Sequence, residues 1–302
     1  MDDIKEDTGL TDVRRIWRLF CYMEEITLQA LLEAGCHFGH KSERWHPKAS
    51  AFIYTKKDGI HIIDLAKTKA GLEVAGAFIK SVVAGGGETL FVGTKRQASG
   101  ILKQEAVTVG APYFSDRWIG GFMTNWDQIR KNIEKINHME EDQKIGGWKK
   151  FPKHEQVKMA KYLSRIKIYY GGVLHLKEVP QALFVVDVRK EISAVREAKR
   201  RGIPVIGVVD TNSDPTGIDY VIPANDDAVG SVTYIVRYIA SAYKEGKDAF
   251  NKRTEDERVK NEEIKAKAEE AKKKQEKEDA KKPTIAEEQK REAEKAAKKA
   301  KK

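Results

Sequence analysis

Short apolar runs that alternate with helical patterns constrain the fold of this chain more than any other feature. Continuous apolar runs of six or seven residues are typical of strands buried on both faces of a parallel sheet. Helical patterns such as KEISAVREAKRRG separate them, so the order predicts a doubly wound, Rossmann-like (flavodoxin-like) α/β fold with right-handed crossovers. The runs are TLFVGT (89–94), ALFVVDV (182–188), PVIGVVD (204–210) and DYVIPAN (219–225).

A helical insertion interrupts this alternation at residues 124–170. Its two halves carry apolar residues at spacings of three and four, and Thr124 is a suitable N-cap for the first half. The pattern predicts an antiparallel helical hairpin that packs mostly on itself and projects from the sheet. The apolar positions are Trp126, Ile129, Ile133 and Ile136, then Met159, Leu163, Ile166 and Tyr170.

Composition divides the chain into three parts. Residues 1–22 are expected to form a polar leader. A second methionine follows it at position 23, so a translation start at Met23 stays open as an alternative. The α/β domain is expected at 23–246. Residues 247–302 are almost wholly Lys, Glu and Ala and cannot bury a core, so we expect a disordered or partly helical tail. A flexible RNA-contacting arm and a solvated tail without a single partner both remain open for this segment.

The charge balance indicates a polyanionic partner, since the chain carries a net charge of +10 and has a pI of about 9.3. Half of that excess lies in residues 1–243 and half in 244–302, so contacts of the folded part with nucleic acid must come from local clusters. Cys21 and Cys36 fit no disulfide or metal pattern, which favours a reducing cytoplasm. The sequence has no apolar run approaching the ~18 residues of a membrane span, so no membrane partner is expected.

Nucleotide binding, which this fold class often supports, has little support from the motifs. The run LFVGTKRQASG contains Gly93 and Gly100, but it lacks the G-x-G-x-x-G turn that admits a pyrophosphate, and it is not a P-loop. A nucleotide-binding enzyme stays open as an alternative, as does a coiled-coil scaffold built from the hairpin and tail. No paired-carboxylate or Ser–His–Asp pattern stands out.

Two further motifs resemble metal sites only in part. DTNSDPTG opens like a calcium loop, but Pro215 replaces the glycine of the sharp turn and Val221 replaces the bidentate glutamate. A turn whose Asp and Asn side chains bond its own backbone is the better interpretation. The three histidines at positions 37, 40 and 46 lack the second ligand pair of a zinc site, so packing and RNA-phosphate contacts are expected for them.

Three clusters combine basic and aromatic residues, a composition suited to phosphates and unpaired bases. The first is predicted around Trp45, the second at the carboxyl ends of strands, and the third along the hairpin, whose tip carries Trp148 and Phe151. Solvated basic faces with core aromatics are the competing interpretation. The candidate RNA contacts are Lys41, Arg44, Trp45, His46 and Lys48; Lys95, Arg96 and Arg117; and Arg130, Lys131, Lys149, Lys150, Lys153, Lys158 and Arg165.

Several ordered blocks resemble one family. LLEAGCHFGHKSERWHPKASAFIYTKKDGIHIIDL, LFVGTKRQA, DRWIGGFMTN and EAKRRGIPVIGVVDTNSDPTGIDYVIPANDDAVGSV are similar to blocks of the bacterial small-subunit ribosomal protein S-two family. The resemblance runs from about Met23 to Gly246. Residues 1–22 and the long tail fall outside it, and Cys36 stands where the family often has a plain apolar residue.

The resemblance implies a structural protein of the small ribosomal subunit with no catalysis, no cofactor and no small-molecule substrate. It implies binding to small-subunit ribosomal RNA at the head–body junction, and contact with ribosomal protein S-one and neighbouring small-subunit proteins in translation. The glycines and aromatics of GCHFGH and RWIGG are expected to be fold-forming, and the flanking Lys and Arg are the expected RNA contacts.

Overall fold

A computed structural model describes residues 26–279, with side chains described to residue 262. The proposed leader and start site at Met23, and the end of the tail, lie outside these residues. Contacts divide the chain into two units, Met1–Phe250 and Asn251–Lys302. None of the described helices is long and apolar enough to cross a membrane.

The core of the first unit is a five-stranded, wholly parallel sheet. Its order, β5-β4-β6-β7-β8, is 2-1-3-4-5 when the strands are counted along the chain, which is the flavodoxin-like order. This confirms the predicted Rossmann-like fold. The strands are β4 (Thr89–Val92), β5 (Tyr113–Phe114), β6 (Ala182–Val185), β7 (Val205–Val209) and β8 (Tyr220–Pro223).

A second, antiparallel sheet of three strands precedes it, in the order β1-β3-β2. Asp58 and Gly59 join β2 to β3 and both have positive φ, as a two-residue Asp-Gly hairpin turn requires. A short 3-10 helix, Pro47–Phe52, links β1 to β2. The strands are β1 (Phe38–Lys41), β2 (Ile53–Lys57) and β3 (Ile60–Ile63).

Helices cover both faces of the parallel sheet because successive strand residues point to opposite sides. Phe91 and Phe184 pack against α2, α3 and α7, whereas Leu90 and Val185 pack against α4 and α6. The helices are α1 (Leu28–Glu33), α2 (Leu65–Ala84), α3 (Arg96–Val109), α4 (Trp126–Lys144), α5 (Lys153–Tyr170), α6 (Ile192–Arg201) and α7 (Val229–Asp279).

The predicted insertion forms α4 and α5, joined by a 3-10 turn at Gly147–Lys150. The expectation that it packs mostly on itself is wrong for the first half of α4. Trp126, Ile129 and Ile133 belong to the sheet core, where their apolar area is removed from water. Ile136, Trp148 and Leu163 form a separate small core, on which partly buried residues such as Met139 and Met159 pack.

The antiparallel arrangement of α4 and α5 stays a prediction. One contact between the helices joins Lys135 to the ring of Tyr162, and another joins Glu140 to Lys167 at 3.0 Å. The N-cap also differs from the expectation. Asn125, not Thr124, precedes the helix, because Thr124 donates its amide and hydroxyl to Glu197.

The described part of the second unit is the continuation of α7 from Asn251 to Asp279. Its side chains are exposed from Asn251 to the last described one, Glu262, and i to i+4 pairs such as Arg253–Glu257 link them. Such pairs support an exposed helix without a core. The described part of the tail is therefore helical, in line with the partly helical alternative.

Candidate RNA-binding surface

The cluster around Trp45 lies where β1 turns into the 3-10 helix. His46 is the N-cap of that helix and accepts a hydrogen bond from the amide of Lys48 at 3.3 Å, while its own amide donates to the carbonyl of Thr211 at 2.7 Å. Trp45 remains 40% exposed although its ring lies 5.4 Å from that of His61. The segment is thus held at its base and open at its tip.

The cations of this first cluster differ in how far they are neutralised. Hydrogen bonding with the Thr216 side chain, and then with the ammonium of Lys48 at 2.9 Å, holds the pKa of the Asp214 carboxyl well below its usual range. Lys48 also contacts the hydroxyl of Thr216. Lys41 and Arg44 are exposed and have no carboxylate partner among residues 26–262. Arg44 and Lys41 are therefore the stronger candidates for a phosphate contact, and Lys48 is a weaker candidate.

Close packing of the GCHFGH segment on the loop after β7 positions this cluster. The amide of His40 donates to the hydroxyl of Thr211 at 2.8 Å. A Cβ at Gly39 would lie 2.6 Å from Cγ2 of Thr211 and 2.9 Å from the carbonyl oxygen of His61. The prediction that this glycine is fold-forming agrees with that crowding, since any side chain would push β1 away from the loop after β7.

The same loop confirms the interpretation of DTNSDPTG as a self-bonded turn. Asp210 accepts from the amide of Thr211, and Asp214 accepts from the amide of Thr216 at 2.9 Å. The amide of Ser213 donates to the carbonyl of Asp210 at 3.1 Å. The acidic side chains thus stabilise the turn itself.

The ammonium of Lys95 is neutralised by neighbouring carboxylates, so it is not free to bind a phosphate. Its ammonium lies 3.5 Å from Asp187, 2.8 Å from Asp226 and 2.6 Å from Asp227, and the side chain is only 15% exposed. Burial alone would lower the pKa of Lys95, but hydrogen bonds to Asp226 and Asp227 outweigh it and raise that pKa. We therefore remove Lys95 from the candidate RNA contacts.

The acidic residues around Lys95 come from the carboxyl ends of separate strands, the edge where this fold class binds nucleotides. The pKa of Asp226 is raised by burial and by the neighbouring charges of Asp210 and Asp187. His40 faces the same group: its Nδ1 lies 3.1 Å from Asp210, and hydrogen bonding to Asp210 raises its pKa despite burial. An edge this rich in carboxylates repels phosphates.

The glycine-poor turn after β4 is closed to a phosphate as well. Thr94 donates both its amide and its hydroxyl to the buried carboxylate of Glu191, and Lys190 donates to the carbonyl of Thr94 at 2.7 Å. The amide and hydroxyl that a phosphate oxygen could use at this turn are therefore already bonded to a carboxylate. Ligand atoms of His40, Asp210 and Asp226 lie within 4.8 Å of one another, close enough to hold a cation. The cation that contacts this group is the ammonium of Lys95, which lies 2.8 Å from Asp226.

The remainder of the second cluster is split by burial. Arg96 and Arg117 are exposed, without a carboxylate partner among the described side chains. Trp118, next to Arg117, is only 8% exposed, and its indole donates to Glu197 at 3.0 Å. It is a core residue and not a platform for a base.

The basic residues at the tip between α4 and α5 are exposed, but its tryptophan is not. Trp148 is 6% exposed and packs on Ile136 and Leu163, so it cannot stack on RNA. Phe151 remains 37% exposed beside the ammonium of Lys150, which lies 5.4 Å from its ring. Lys149, Lys150 and Lys153 are exposed, and these three lysines have no carboxylate partner within the described part of the chain.

One face of α5 carries a stripe that alternates cations and tyrosines: Lys158, Tyr162, Arg165 and Tyr169. Their spacings of four, three and four place them on one face of a helix. Tyr162 is 38% exposed and Tyr169 41%. Neither tyrosine was among the RNA contacts predicted from the sequence, although their spacing relative to Lys158 and Arg165 was a signal that could have identified them. We call these four residues the α5 stripe.

Contacts from α4 adjoin the α5 stripe. The ammonium of Lys135 lies 5.8 Å from the ring of Tyr162. Arg130 bonds Glu134 at 2.9 Å one turn along α4, whereas Lys131 is exposed without a carboxylate partner in residues 26–262. Arg130 is thus partly neutralised, and Lys131 is the freer of these two candidate RNA contacts.

The geometry agrees with the comparison of the sequence with protein families. The model for the family described as "Ribosomal protein S2" matches residues 31–246, which is more than half of the chain and spans the parallel sheet, its helices and the α4–α5 insertion. The chain belongs to the ribosomal protein S2 (S-two) family and is therefore a structural protein of the small ribosomal subunit.

Proposed function

We propose that the chain binds small-subunit ribosomal RNA at the junction of head and body through two surfaces. The first surface comprises Lys41, Arg44 and Trp45. The second consists of the α5 stripe and the lysines of the α4–α5 tip. The alternation of exposed cations and exposed tyrosines along the α5 stripe is the observation that carries the proposal.

The pairing of charges supports the lysines of the α4–α5 tip over those of α2. Exposed lysines of α2 face carboxylates: Lys69 lies 3.8 Å from Glu73, and Lys80 lies 2.8 Å from Glu245. The lysines at the tip have no such partners within residues 26–262. Unpaired cations are available to neutralise phosphates of the RNA. The counterions condensed on the RNA are then released, and this release supplies affinity.

The exposed rings support binding to irregular RNA instead of a regular duplex. The grooves of A-form helices do not admit aromatic side chains to base faces, whereas unpaired bases in loops stack on them. Tyr162 and Tyr169 lie seven residues apart, so roughly 10 Å of helix separates them at about 1.5 Å per residue. That spacing suits two separate bases of a splayed loop.

Docking of ribosomal protein S-one, and contact with neighbouring small-subunit proteins, form the finer part of the same proposal. This part rests on the family resemblance. Its test is the S-one content of small subunits that carry surface variants of this chain.

The test of RNA binding is incorporation into small subunits, measured by co-sedimentation. Replacing Lys149, Lys150 and Lys153 with Glu reverses the charge of the tip, and we expect a marked loss of the chain from the small-subunit peak. The matched control replaces three exposed lysines outside the two proposed surfaces, Lys80, Lys177 and Lys199, with Glu. Thermal unfolding of both variants confirms that each is folded.

Incorporation of the tip variant at the level of the control would contradict the role assigned to the α4–α5 tip. A wild-type chain that does not travel with small subunits at all would contradict the whole proposal. In the wild type, raising the salt concentration should weaken binding to isolated RNA steeply, with log K falling linearly against log[salt].

A further inference from the structure

An open groove of about 360 Å³ lies beside Trp45, between the segment before the 3-10 helix and the start of α6. That volume lies near the lower end of the range of small-ligand sites, about 300–1,000 Å³. Its lining residues include Arg44, Trp45, Arg189, Ile192 and Asp214.

The walls of the groove include exposed apolar surface. Trp45 is 40% exposed and Ile192 37%, although both are large side chains that usually bury more of their area. The ring of Trp45 lies 5.4 Å from the buried ring of His61, which supports it from the side of β3. The groove therefore offers a partly supported aromatic surface that faces an aliphatic one.

Charges at the groove are arranged as a polar and ionic ligand would need them. Arg44 and Arg189 are exposed and have no carboxylate partner among residues 26–262. The carboxylate of Asp214 is fixed by Lys48 at 2.9 Å and by the hydroxyl of Thr216, so its pKa lies below the usual range and it stays an ionised acceptor. Two guanidinium groups, an aromatic face and one carboxylate acceptor thus line a single groove.

We propose that this groove binds one unpaired nucleotide of the ribosomal RNA, with the base against Trp45 and Ile192 and a phosphate on Arg44 or Arg189. The inference rests on the proposed function, because it names a ligand for one of the two RNA-binding surfaces. Aromatic faces and guanidinium groups bind single-stranded nucleic acid in this combination.

Asp214 adds a preference for one class of base. A carboxylate accepts a hydrogen bond from the exocyclic amino group of cytosine, which donates two hydrogens at N4, whereas uracil carries the O4 carbonyl there and can donate only through N3–H. We expect cytidine to bind more tightly than uridine where Asp214 faces the N4/O4 position of the base. The purine amino groups are compatible with the carboxylate, so their binding depends on the room beside Trp45.

The test uses the full chain and a fluorescent single-stranded RNA of mixed sequence, with anisotropy as the readout. Trp45→Leu removes the stacking surface, and we expect an affinity about tenfold lower with an unchanged salt slope. Arg189→Gln removes a phosphate contact and lowers the salt slope by about one. Tyr54→Leu is the matched control, since Tyr54 is 76% exposed but does not line the groove.

Base preference is measured with oligocytidine and oligouridine of equal length. The wild type is expected to bind oligocytidine more tightly, and Asp214→Asn to lose that preference. Equal affinities of the wild type for both would overturn the assigned role of Asp214. Circular dichroism of every variant establishes that it is folded.

The failures of the two proposals are distinguishable. If the wild type travels with small subunits and Trp45→Leu binds single-stranded RNA as tightly as Tyr54→Leu does, the groove is not a nucleotide site and the proposed function stands. If Trp45→Leu loses association with small subunits but keeps its affinity for RNA, a protein side chain occupies the groove and the nucleotide inference is overturned. If the wild type does not associate with small subunits, the proposed function itself fails.

Discussion

The buried carboxylate of Glu197 accepts the indole N–H of Trp118 at 3.0 Å and the amide of Gly121 at 2.8 Å. Its second oxygen accepts the amide of Met123 at 3.1 Å. One side chain of α6 therefore holds the loop that leads into α4. The charge is compensated by several N–H donors instead of by a cation, which is how a carboxylate can be kept at 8% exposure.

Replacing Glu197 with Ala should leave these buried donors without an acceptor. Each unsatisfied buried donor costs about 1–3 kcal/mol, and partial relaxation lets water reach some of them. We expect a loss of about 3–5 kcal/mol in the free energy of unfolding, measured by urea denaturation. Glu105→Ala is a suitable control, because that buried carboxylate is shown with one partner, Arg237. An equal loss in the two variants would contradict the multiple-donor role.

Removal of the ammonium of Lys95 should destabilise the protein in a pH-dependent way. Lys95→Met leaves Asp226, which is 1% exposed, without its closest cation. Breaking a buried pair on one side costs about 3–5 kcal/mol, so a loss of that size is expected at pH 7. Lys48→Met removes the partner of the partly exposed Asp214 and should cost at most about 1 kcal/mol.

The sign of the pH effect follows from the pKa of Asp226, which burial raises above its unfolded value. An acid with a raised pKa binds its proton more tightly in the folded state, so its contribution to stability falls as pH rises from about 4 toward neutrality. Without Lys95 this effect grows, and the deficit of Lys95→Met should shrink when unfolding is measured at pH 5. A deficit that is the same at both values would show that the carboxylates are compensated in another way.

Gly39 is required by the close approach of strand β1 to the loop after β7 and to β3. Gly39→Ala places a methyl group 2.6 Å from Cγ2 of Thr211, and the backbone carbonyl of His61 blocks retreat. Overpacking of this kind typically costs about 1–3 kcal/mol. Gly120→Ala, where a Cβ meets nothing within 4 Å, is the control and should leave the unfolding midpoint nearly unchanged. A stable Gly39→Ala with normal RNA binding would show that β1 and the loop after β7 can move apart.

The parallel sheet with helices on both faces was predictable because the longer parallel strands are local apolar runs and crossovers are right-handed. The partners of Lys95 were not. Its neighbours in sequence are Thr94 and Arg96, and the carboxylates that neutralise it follow β6 and β8, about ninety and one hundred and thirty residues later. A basic cluster read from a short window therefore cannot reveal whether its charges are free.

Burial of the aromatics was the second property that local sequence could not supply. Trp45 and Trp148 each stand beside basic residues, yet Trp45 remains 40% exposed and Trp148 is 6% exposed. The difference arises because Ile136 and Leu163, on separate helices, close over Trp148. In contrast, the α5 stripe was accessible to sequence reasoning, since the positions of Tyr162 and Tyr169 are set by helical spacing alone.

The α5 stripe yields a prediction that separates stacking from charge. The double variant Tyr162→Leu/Tyr169→Leu keeps the charge of the helix but removes both rings. Loss of stacking is worth about 1–3 kcal/mol per base, so binding to a transcript of small-subunit ribosomal RNA should weaken at least fivefold without a change in the salt slope. The double variant Lys158→Gln/Arg165→Gln should instead lower that slope by about two.

Val157→Ala/Ile168→Ala is the matched control for the stripe. These two residues are 53% and 59% exposed, and their separation of eleven positions is about three helical turns, so they share one face. At about 100° per residue, that face is turned by roughly 100° from the α5 stripe. Their replacement is expected to leave both the affinity and the salt slope unchanged. If the control weakens binding as much as the tyrosine variant, the apolar face of α5 contributes as much as the stripe does, and the alternation of cations with rings is not what positions the RNA.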